Sequence, residues 1–163
     1  MTVFGILFFF TLSGCGNQDD QREFEREAYQ PPENFTETQN GSEVKNRDPD
    51  DWRIAPFFEG SVEVTPAWPN PVQSTDAVHL QLYFGIESVR VLRLFAYHHG
   101  QQLSLNEILE EDLGMHSSAL IDLQFNAAEL IPFDNPESRA GLYRVILLDG
   151  NQNVITYGDI KVN

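Results

Sequence analysis

Strict alternation of apolar and polar residues over eight positions leaves this chain few options. In "AVHLQLYF" (77–84), Val78, Leu80, Leu82 and Phe84 alternate with His79, Gln81 and Tyr83. A period of two puts the first set on one face of an extended chain and the second on the other, which predicts a half-buried β-strand. "SVEVTP" (61–66) and "ALIDLQF" (119–125) repeat the pattern, the latter with Ile121, Leu123 and Phe125 against Asp122 and Gln124. "SVRVLRLFAYHH" (88–99) begins in the same way, then slips phase at Leu92-Arg93-Leu94. The slip predicts a bulge or a strand covered on both faces. "GLYRVILL" (141–148) and "NVITYGDIKV" (153–162) flank "DGNQ", a hairpin signal.

One segment follows a different period. "SLNEILEEDLG" (104–114) carries Leu105, Ile108, Leu109 and Leu113 at helical spacing, with a capping box at Ser104 and Glu107 and Gly114 at the end. The spacing predicts a short helical insert whose acidic side, Glu107 to Asp112, faces water. Six or seven short strands, frequent turns and one insert predict an all-β, antiparallel β-sandwich. Alternating strand–helix units are absent, which argues against a parallel α/β sheet.

Before Trp52 the character changes. Residues 16–51 hold eleven acids and four bases, and Gln, Asn, Glu, Asp and Pro dominate. The few apolar residues, Phe24, Ala28, Tyr29, Phe35 and Val44, keep no lasting period, so the segment reads as an acidic, disordered tether. Only Asp20 to Tyr29 has the charge spacing of a transient helix. A flexible tether of this length would reach roughly 30–36 Å. The whole chain of 163 residues carries a formal net charge of -15, which argues against nucleic acid as a partner and against electrostatic docking on anionic lipid.

The N-terminus answers a separate question. The chain has one cysteine, Cys15, so no internal disulfide and no CxxC metal site can form. It follows an apolar run, Val3 to Leu12, too short to cross a bilayer of roughly 30 Å but of signal-peptide length. Leu12-Ser13-Gly14-Cys15 resembles the lipobox of bacterial lipoproteins. That resemblance implies signal-peptidase recognition through Leu12, Ser13 and Gly14, cleavage before Cys15, and a lipid on the Cys15 thiol. Two or three acyl chains hold a protein stably at a membrane. The expected organisation is a signal peptide at 1–14, a lipidated cysteine and tether at 15–51, and one domain at 52–163. The expected address is the bacterial cell envelope, on the outer membrane, facing the periplasm or the surface.

A second resemblance spans about 95 residues. Pro69-Asn70-Pro71 precedes an alternating strand, Gly100 sits in a later turn, and Gly141-Leu142-Tyr143 opens the final hairpin. This order is similar to the immunoglobulin-like domain of flagellar hook-capping proteins and to the C-terminal sorting domains of type IX secretion substrates. It implies an Ig-like sandwich. Pro69 and Pro71, lacking amide donors, suit an edge or a bend where the chain crosses between sheets.

Chemistry is sparse. There is no GxSxG, HExxH, phosphate-binding loop or GxGxxG. His98 and His99 are adjacent, so in a strand they point to opposite faces; with His79 and His116 they are expected to be surface polar residues rather than metal ligands. Asp149, Asn151 and Asn153 match three positions of a calcium loop, but Val154 and Ile160 stand where Gly and Glu belong, and a hairpin turn explains the same residues. Neither a metal nor a cofactor is expected. Trp52 and Trp68, with Phe57 and Phe58, are candidates for a platform that meets an envelope protein or a polysaccharide; the competing expectation is that they plug the open end of the sandwich. The function expected is a non-enzymatic binding or assembly module anchored at a membrane. The alternatives are a type IX-like sorting domain and a small glycan-binding or hydrolase domain, which would need a cleft with converging polar groups.

Overall fold

The computed structural model describes residues 16–85, 89–98, 104–114, 119–131 and 140–163. Within them lie one helix, α1 (Gly16–Ala28), and a small hairpin of β1 (Thr38–Gln39) and β2 (Ser42–Glu43). Seven longer strands follow: β3 (Val62–Trp68), β4 (Ala77–Phe84), β5 (Val91–His98), β6 (Ser104–Asp112), β7 (Ala119–Asn126), β8 (Gly141–Asp149) and β9 (Val154–Val162). They pair antiparallel in two sheets, ordered β3-β4-β7 and β6-β5-β8-β9. The expected all-β, antiparallel sandwich is the architecture of the chain.

The alternation explains the core. Val78, Leu80 and Leu82 of β4 are fully buried, and Leu80 and Val78 lie opposite Leu123 and Phe125 of β7. From the other sheet come Leu92, Leu94 and Ala96 of β5, with Leu147 opposite Leu94 and Val145 opposite Ala96. Directly paired residues share a face, so the two sets form opposing inner surfaces of one apolar cluster. Burying each large aliphatic side chain contributes about 1.5–3 kcal/mol. The "DGNQ" hairpin forms as expected. The Asp149 amide donates to the Asn153 carbonyl, and Gln152 supplies the left-handed residue with a φ of 69°.

Two expectations need correction. The segment 104–114 contains no helix; Ser104–Asp112 is β6, paired along its length with β5. Leu94 lies opposite Leu109 while Phe95 lies opposite Glu107, so Ile108 is one residue too many. That bulge shifts the phase of β6, and a shifted period of two produced the helix-like spacing of Leu105, Ile108 and Leu109. A ladder of eight cross-strand pairs, with the Arg93–Glu110 ion pair at 2.6 Å, outweighs a cap of about 1 kcal/mol.

Residues 16–51 are likewise no free tether. Gln21, Phe24 and Ala28 line one stripe of α1 and are buried against the sandwich, and Thr36 and Thr38 are buried after it. The Phe24 ring meets Tyr157 of β9 at 5.1 Å. The stripe follows the helical period, but its first member is a glutamine, so counting apolar residues misses it. This arm covers the outer face of the larger sheet, which is why β8 and β9 are buried on both faces.

Pro69-Asn70-Pro71 marks a bend along a sheet edge and not a crossing from one sheet to the other: β3 before it and β4 after it are neighbours in the smaller sheet. The chain leaves β3 there and runs beside the edge of β9, where Val72 donates to Lys161 and accepts from Asn163.

Candidate functional site

Strand β9 is an edge strand, and an open edge is a template for pairing with another chain. Here it is sealed by the arm and the linker. Ala55 and Trp52 donate backbone amides to the carbonyls of Ile155 and Tyr157, at 2.9 and 2.7 Å. Next along the edge, two side chains stand in for peptide groups. Asp51 Oδ1 accepts the Asp159 amide at 2.8 Å. Asn70 Nδ2 donates to the Asp159 carbonyl at 2.8 Å, and Asn70 Oδ1 accepts the Lys161 amide at 2.9 Å.

Behind this seam lies a buried ion pair. Arg144 of β8 and Asp159 of β9 are cross-strand neighbours, and Nε and Nη2 donate to the two carboxylate oxygens at 2.8 and 2.7 Å. Their side chains are 8% and 0% exposed. Arg144 Nη1 also donates to the carbonyls of Glu27 and Gln30, at 3.0 and 2.9 Å. It thus caps the C-terminal end of α1, where free carbonyls favour a cation. Arg53 reinforces the joint, donating to Glu27 Oε2 at 2.7 Å and to the Tyr157 hydroxyl at 2.8 Å. The Tyr97 hydroxyl donates to the Tyr29 carbonyl at 2.8 Å.

One carboxylate oxygen each from Asp48, Asp51 and Asp159 lie within 4.8 Å of one another. Burial, and then the Asp159 charge, push the Asp51 carboxyl up to about 7, although amide hydrogen bonds from Thr36 and Asp159 pull the other way. Burial also raises Asp159, opposed by the Arg144 hydrogen bonds. At neutral pH the cluster can therefore hold a proton on Asp51; a divalent cation is the other species such oxygens can accept. Beside it opens a cleft of about 360 Å³, lined by residues including Glu27, Glu33, Asp48 and Arg144. Asp51 and Asp159 are not in its lining, so the raised proton does not face the cleft. Asp51 and Asp159 are both engaged in holding the arm, through the amide of Thr36 and through Arg144.

The residues singled out in the sequence fall in different places. Leu12, Ser13, Gly14 and Cys15 lie outside the described residues, as do His99, Gly100 and His116. Trp52 is 5% exposed and lies over Gly158, where a Cβ would come within 2.2 Å of the indole. So little of it is exposed that it packs as a plug. Its φ of 61° costs a non-glycine residue about 1–2 kcal/mol, which ring burial offsets. Phe58 is buried with it, whereas Phe57 is exposed. Trp68 is half-buried on the outer face of the smaller sheet, stacked on His79 at 5.5 Å, with the Gly41 turn against its ring. The four aromatics do not form one platform. Asp149 closes its turn, accepting the amides of Asn151 and Asn153 at 2.9 and 2.8 Å.

Sequence reading missed Arg144, Asp51 and Asp159. The signal for the first and last was present: an arginine inside "LYRVILL" and an aspartate inside "TYGDIKV", opposite-sign charges within the two apolar arms of one hairpin. Compared with known protein families, curated proteins and solved structures, the chain matches none of them.

Proposed function

We propose that this chain is a lipoprotein of the bacterial cell envelope, lipidated at Cys15, that displays its sandwich as a non-enzymatic binding or assembly module. The strand order, with sheets of three and four and the final hairpin in the larger, is in keeping with the Ig-like reading. One observation carries the binding role. Strand β7 pairs with β4, and its other edge meets no described strand, while Leu120 on it is 64% exposed. The β9 edge is sealed and the β6 edge is studded with Glu107, Glu110, Glu111 and Asp112, both ways of discouraging pairing. A β7 edge left open among the described residues supports recognition by strand addition to an envelope partner.

The test is the intact mass of the protein extracted from native membranes, followed by partner capture. A mass of Cys15–Asn163 plus acyl chains is expected, with capture lost on Leu120→Lys. A mass without acyl chains would overturn the lipid anchor. A mass lacking the sandwich would make it a sorting signal instead.

A further inference from the structure

We infer that the sandwich is held against the membrane in one orientation, with the exposed Phe57 ring as an apolar contact with the bilayer. The inference rests on the lipoprotein reading of Cys15 and adds the surface that faces the lipid.

Helix α1 begins at Gly16, one residue after Cys15. Five residues separate Cys15 from Gln21; the helix from Gly16 to Gln21 spans roughly 7.5 Å, and the single step back to Cys15 adds at most about 3.8 Å. Gln21 is fixed to the sandwich: Nε2 donates to the Val154 carbonyl at 3.2 Å, and Oε1 accepts the Phe57 amide at 3.2 Å. From there Phe24 packs on Tyr157, and Arg144 holds the far end of the helix. The path from the lipid to the folded body is thus about a third of the reach of a flexible tether of this length. Phe57 is tied to Gln21, in the N-terminal half of α1, and is 43% exposed, in a 3-10 turn (Pro56–Phe58) that packs on that helix. An aromatic ring this close to an acyl anchor lies within reach of the bilayer interface, where aromatics are favoured. The neighbouring exposed charges, Asp19, Asp20 and Glu59 against Arg22, are mostly acidic. Contact with lipid is therefore apolar and independent of anionic headgroups.

The experiment uses the full lipidated chain reconstituted into phosphatidylcholine vesicles containing brominated acyl chains. Tryptophan is placed at Phe57→Trp or, as the distal control near the opposite end of the smaller sheet, at exposed Gln124→Trp, whose β4 partner is His79. Quenching is read as the increment over the unsubstituted protein. The expected result is several-fold more added quenching at position 57 than at 124. Equal quenching, with acyl chains present in the intact mass, would overturn the fixed orientation alone. A preparation from native membranes without acyl chains would overturn the lipoprotein reading and this inference together. Amide exchange gives a second reading on the same samples: Phe24 and Ala28 should exchange at least about 100-fold slower than an unstructured chain. Unprotected exchange there would overturn the docked arm.

Discussion

Raising the pH from 5 to 8 should weaken this fold, and Asp51 should account for most of the change. Its carboxyl is pushed up to about 7 in the folded chain from an ordinary value of 3.8. The folded state therefore holds a proton that the unfolded state has released, and stability falls as pH rises through the window between the two values. Three pH units correspond to about 4 kcal/mol in all, of which about 2.5 kcal/mol falls between pH 5 and 8. The assay is urea unfolding of a chain beginning at Gly16, followed by the fluorescence of buried Trp52, at several pH values. The wild type should lose roughly 2–3 kcal/mol over that range. Acidification also relieves general repulsion in a chain of net charge -15, so Asp51→Asn is the necessary control. The amide can accept from only one of the two backbone amides that Asp51 serves, at Thr36 and Asp159, so the variant should be less stable by about 1–3 kcal/mol at pH 5. Its pH slope should be much flatter, and the two curves should converge toward pH 8. An unchanged slope in Asp51→Asn would refute the assignment of the proton to this carboxyl.

Three further outcomes follow from the same seam. Gly158→Ala should destabilise by about 3 kcal/mol or more in the same urea assay, because the new Cβ falls on the Trp52 ring. Arg144→Met should cost about 3–5 kcal/mol by leaving Asp159 buried and unpaired. Adding Asp159→Leu should recover part of that loss but not all, since the carbonyls of Glu27 and Gln30 stay uncapped; thermal melts of the three variants measure this. A chain cut to begin at Trp52 should associate in a concentration-dependent way by light scattering, because removing α1 exposes the apolar face around Tyr157 and removing Asp51 frees the Asp159 amide on the β9 edge.

The strands of the sandwich were legible because their alternation reports a local fact: one face is wet and the other dry. Strand β4 is the clean case, and β7 repeats it. Strand β6 was misread because a bulge at Ile108 turned a period of two into a spacing shared with helices. Nothing within 104–114 distinguishes the two; the distinction lies in β5, which offers a ladder only the folded chain can supply. The phase slip in β5 has another source: its pairing with β8 is unbroken, and Leu92, Leu94 and Ala96 on one face and Tyr97 on the other are all buried, so the strand is covered on both faces.

The arm was illegible for a different reason. Its composition is that of a disordered segment, and the inference from composition to disorder assumes that order requires burying apolar side chains. Here order comes largely from polar groups that complete someone else's hydrogen bonds. Asp51 serves a strand-edge amide, Gln21 a carbonyl of β9, and the carbonyls of Glu27 and Gln30 serve an arginine already buried in the sheet. The demand originates in the sandwich, where β9 has an edge to close and Arg144 has donors to satisfy. An arm that answers it can be acidic, polar and nearly free of apolar residues and still be fixed. The same arithmetic recasts residues 16–51 from a spacer that lifts the domain off the membrane into part of the folded body. With the proposed lipid anchor at Cys15, its distance from the sandwich is then set mainly by the geometry of α1 rather than by chain statistics.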